Sequence, residues 1–317
     1  MNNNTGVERA IKNIKHRNGL FLCDIWSYHL NENDDIMSTI DILDSIKESL
    51  IFSGTEKTKN FEEATIPTAL MNELISLVHK ALVTGRSFMR DLKSGQHTYA
   101  EITAYNGSLY WAKCILLILG VWFSPKKINN HYWIIDIYPI KEKKLNSTFT
   151  FINIGPHQIG HVEVWLILKR LLRTSKNICF DENFFSFIND LEESSISYKR
   201  HHLSYHNDYW LNPEDLRRDC IKIGDISWIK EFHDEIYSTL DIQDNSPENS
   251  LIYFYLILGR NFFLLLKNIE NSLPNIYKDK LSEIEHGYDS LQVFNEKNWI
   301  TENSEIPKLS IEHVNLI

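Results

Sequence analysis

The chain has 317 residues, 43% of them hydrophobic and 24% charged, which excludes an intrinsically disordered chain, a collagen-like repeat and a disulfide-stapled miniature protein. Lys and Arg number 33 against 42 Asp and Glu, a net charge of −9 that argues against a broad cationic surface coating duplex DNA, though not against a compact nucleic-acid site. The length fits one large domain or two modest ones.

The four cysteines, Cys23, Cys114, Cys179 and Cys220, lie far apart and form no C-x-x-C pair, so neither a zinc ribbon nor a thioredoxin-type motif fits. Met1 to Thr5 is polar and lacks the apolar core of a signal peptide, so a cytoplasmic location with reduced thiols is expected.

In chain order, residues 1–60 read as an N-terminal helical segment. Helices are expected over about Val7 to Lys15, Leu20 to His29 and Asp35 to Ile51, and Ser53 to Asn60 reads as a polar connector. Residues 61–317 read as a second, larger helical domain. Thr65-Ile66-Pro67 places a capping candidate and a proline at a helix start. Leu70, Leu74, Leu77, Val78, Ala81 and Leu82 then repeat at three- and four-residue steps, and Ser94-Gly95 stops the helix. The next helix runs from about Tyr99 to Trp122, apolar all round toward its end and closed by Ser124-Pro125. This pair predicts a long helical hairpin.

His131 to Tyr138 and Ser147 to Ile154 are rich in β-branched and aromatic residues, with a charged stretch, Lys141 to Asn146, between them. They predict a β-hairpin inserted between helices, at about residues 130–155. Gly155-Pro156 opens another helix, to about Leu172, and the pattern is helical again from Glu182. The expected fold class is therefore mainly α, a helical bundle with a small inserted β-hairpin. Cys114 to Phe123 is too short to span a bilayer, and Leu251 to Leu266 is interrupted by Arg260 and Asn261. Both read as core helices, and no membrane contact is expected.

Arg200-His201-His202-Leu203-Ser204-Tyr205-His206 is the most suggestive cluster, with an Arg and a His on either side of five residues. RNA cleavage by a 2′-hydroxyl needs a base titrating near neutrality and a cation on the phosphate, and His with Arg supply both. The competing reading is a polar interhelical loop with solvated histidines. His157 and His161 have the i, i+4 spacing of a zinc helix, but Gln158 replaces the carboxylate that would activate zinc-bound water, and Glu163 is poorly placed as a third ligand. No metal or cofactor is expected. Arg260, in an apolar helix, needs a carboxylate or several carbonyls, and Glu101 is one candidate.

The R-x5-H spacing resembles the R-x4–6-H motif of the HEPN superfamily. That resemblance implies a ribonuclease site in which Arg200 holds phosphate, His206 is the acid/base and His201 takes the polar position after the Arg. It also implies assembly of the site across a homodimer. Tyr105 to Lys113, where an aromatic and small-residue pattern leads into Ala112-Lys113 and a Leu-rich end, is similar to the second helix of the YaaC-like bacterial proteins. Gly85-Arg86-Ser87-Phe88 and Leu251 to Phe263 fit the same pattern, so the resemblance runs from about Leu70 to Trp299 and implies a HEPN-like bundle over 61–317. Two functions follow as expectations. One is a metal-independent endoribonuclease, a toxin or antiphage effector with RNA as substrate. The other is a non-catalytic helical scaffold that binds partner subunits of a bacterial defence complex.

Overall fold

The structure, a computed structural model, describes residues 14, 39–50, 58–62, 66–93, 96–137, 148–174, 180, 184, 188, 201, 204, 251–270 and 278–279. In order these form α1 (Thr39–Ser45), β1 (Thr58–Glu62), α2 (Ile66–Lys93), α3 (His97–Ile118), β2 (Val121–Phe123), β3 (Tyr132–Ile137), β4 (Thr148–Gly155), α4 (His161–Thr174) and α5 (Leu251–Glu270). The fold is mainly α with a small β insertion. Two compact units divide the chain: Met1–Leu77 with Ala112–Cys179 and Asn268–Lys278, and Val78–Trp111 with Phe180–Lys267 and Asp279–Ile317.

The first unit contains the sheet. The expected hairpin is present as β3 and β4, antiparallel, with Ile134 opposite Ile152 and Ile135 opposite Phe151. It is the centre of a larger element, a four-stranded antiparallel sheet in the order β1-β4-β3-β2. Two strands went unread for different reasons. β1 lies partly in the stretch expected to be a polar connector; its Thr, Lys and Asn residues give no apolar alternation. β2 lies in the stretch expected to end the long helix. There Gly120 takes a φ of 81°, its N–H donates to the Leu117 carbonyl, and the helix stops at Ile118. An all-apolar run has no periodicity with which to tell helix from strand, so the glycine decides it.

The β2–β3 connection, residues 124–131, has at its tip a two-residue turn in which Asn129 (φ 51°) and Asn130 (φ 66°) both occupy the left-handed region, between the bridged residues Ile128 and His131. Asparagine tolerates that region, and the turn's twist matches the strands. The turn is tied to the α1 region: Lys126 Nζ meets Asp44 at 2.6 Å, and Asn129 Nδ2 donates to the Lys47 carbonyl at 2.9 Å. Both faces of the central strands are buried, Trp133, Ile135 and Phe151 on one side and Ile134, Ile152 and Asp136 on the other. The helices expected at Val7–Lys15 and Leu20–His29 lie outside the described residues, Ile14 apart, which is buried.

In the second unit α2 and α3 run antiparallel. Asp91 accepts from Thr103 near the turn at 3.1 Å, and further out Gly85 and Gly107 face a common neighbour. That neighbour is Tyr255 of α5. A Cβ on Gly107 would lie 2.6 Å from two of its ring carbons, and one on Gly85 would collide with its hydroxyl. The Tyr255 hydroxyl donates to the Ala81 carbonyl at 3.0 Å. Phe88 meets the ring edge-on with centroids 5.0 Å apart, and Trp111 packs at 6.0 Å and continues to Phe262 at 5.0 Å. Such pairs each add about 0.5–1.5 kcal/mol beyond area burial. None of the helices is long and apolar enough to cross a membrane, among the described residues.

Gly107→Ala should destabilise the fold by about 1–3 kcal/mol despite alanine's better helix propensity, because the added methyl overpacks a filled site. Tyr255→Phe should cost only about 1 kcal/mol, the worth of one hydrogen bond. Urea denaturation followed by circular dichroism, with an unchanged m-value, checks both.

Candidate functional site

The segment leading to the Arg/His cluster is anchored by apolar residues four apart. Phe180, Phe184 and Ile188 are buried, and the rings of Phe180 and Phe184 lie 5.5 Å apart. Positions 184, 188, 201 and 204 are all helical. His201 is exposed and Ser204 half-buried, so at these two positions the backbone is helix rather than the alternative interhelical loop. Arg200 and His206 lie outside the described residues. Of the three expected site residues, His201 is the one whose place is described: an exposed imidazole on helical backbone in the second unit.

Within the same unit a buried carboxylate ties α3 to the start of α5. Glu101 of α3, 6% exposed, accepts the backbone N–H of Leu251 at 2.6 Å. Leu251 is the first residue of α5, so its N–H has no partner within the helix. A carboxylate there gains both a charge-assisted bond and the favourable field of the helix N-terminus. The sequence reading nominated Glu101 as a partner for Arg260; position 260 is helical, and its side chain lies outside the described ones. Ser108, also buried, donates to the Ala104 carbonyl at 2.9 Å and so satisfies its hydroxyl within α3.

α2 turns an apolar face inward and a basic one outward. His79, Lys80 and Arg90 are exposed and Arg86 is half-buried. The apolar stripe of this helix was legible in the sequence, whereas His79, Lys80 and Arg90 went unread and Arg86 entered only within Gly85-Arg86-Ser87-Phe88.

The histidines of the zinc-like spacing do not share a helix. α4 begins at His161, whereas His157 sits in an exposed bend before it. The helix was expected to open at Gly155-Pro156, but Gly155 belongs to β4 and takes a φ of 91°. The Glu163 carboxylate folds back over Gly160, and a Cβ there would lie 2.7 Å from its oxygen. No group of three or more His, Cys, Asp or Glu arranged to hold a metal ion occurs among the described residues. Cys114 of α3 is a free, buried thiol. Burial pushes its pKa well above the usual thiol value, Glu73 adds to the rise, and Lys113 opposes it.

Compared with protein-family models, curated proteins and solved structures, the chain matches none.

Glu101→Gln, which keeps the shape and loses the charge, should cost about 1–2 kcal/mol, and Glu101→Ala more, because it leaves the Leu251 N–H unsatisfied. Thermal melts of the two variants check the order. Cys114 should resist alkylation in the folded protein and react only at the rate of unfolding, since the nucleophile is the thiolate. Peptide mapping after timed iodoacetamide labelling gives that rate.

Proposed function

We propose that the chain is a metal-independent, HEPN-like endoribonuclease acting in the cytoplasm as a toxin or antiphage effector. The observation that carries this reading is the Arg200-His201-x4-His206 cluster, with His201 exposed on helical backbone. In this reading Arg200 neutralises the scissile phosphate and His206 takes the proton from the 2′-hydroxyl. The 2′-oxygen bonds to phosphorus as the bond to the 5′-oxygen breaks, and that oxygen leaves with a proton. The products are a 2′,3′-cyclic phosphate and a 5′-hydroxyl end. His201 supplies a second polar group beside the phosphate, and two copies of the chain assemble the site.

The chemistry needs little else from the protein. An imidazole titrates close to neutral pH without help, and a positioned acid/base contributes about 10²–10⁴-fold. A guanidinium stays charged throughout and binds phosphate oxygens in pairs.

Purified protein should cleave total RNA and tRNA with EDTA present. Arg200→Ala and His206→Ala should each reduce the rate by at least about 100-fold while the thermal melt stays unchanged. Cleavage that persists in both variants would overturn the assignment. No cleavage by the wild-type chain, alone or with its partner proteins, would favour the non-catalytic scaffold.

A further inference from the structure

We draw no further inference here: the strongest candidate, the half-buried Arg86 side chain of α2, whose Nε is buried without a hydrogen-bond partner among the described residues, carries nothing because it is a single cation and nothing in the structure shows what covers it.

Discussion

Tyr255 can occupy its place only because Gly85 and Gly107 carry no side chain. Its ring lies where their Cβ atoms would be, its hydroxyl caps the Ala81 carbonyl, and Phe88 and Trp111 close around it. Two consecutive helices and a third far along the chain therefore meet at one aromatic residue, and the Glu101 bond to Leu251 fixes the start of the helix that delivers it. Protein interiors are packed closely enough that such a fit admits one arrangement. The second unit's surface chemistry, the basic face of α2 and the exposed His201, is displayed on this frame.

The first unit solves a different problem. Both faces of its central strands are covered, so the sheet acts as an internal layer rather than a solvated insertion. Its turn at Asn129-Asn130 is anchored to the α1 region by one ion pair and one amide bond. The ion pair is partly exposed, and pairs of that kind contribute about 0–1 kcal/mol, so the turn's own backbone preference carries more of the register.

How much of this could be read in advance depended on whether a residue pattern had a rival. The α2 helix was legible from its leucine spacing and its Ser94-Gly95 stop, and the β3–β4 hairpin from its alternating aromatic and β-branched residues. The end of α3 was not, because Leu116 to Trp122 is apolar throughout and only the positive φ of Gly120 separates helix from strand. β1 was missed because its pairing with β4 is set by the partner, not by its own polar sequence. At the candidate site, the residue types of the Arg200–His206 cluster carried the chemical reading. The pattern from Glu182 on read as helical, with a polar interhelical loop left open as the alternative at the cluster, and positions 201 and 204 are helical. Glu101 was named as one candidate carboxylate for Arg260, and its bond to the Leu251 N–H went unread. A helix N-terminus offers equivalent positive potential and leaves no mark on a sequence.

The proposed reaction cleaves RNA through the substrate's own 2′-hydroxyl, without a metal. The most direct measurement compares one RNA with the same sequence made 2′-deoxy at the cut nucleotide, both in EDTA. With this mechanism the RNA is cut to a 2′,3′-cyclic phosphate and a 5′-hydroxyl end, and the substituted strand stays whole. Cleavage of both strands, or cleavage that EDTA abolishes, would contradict it.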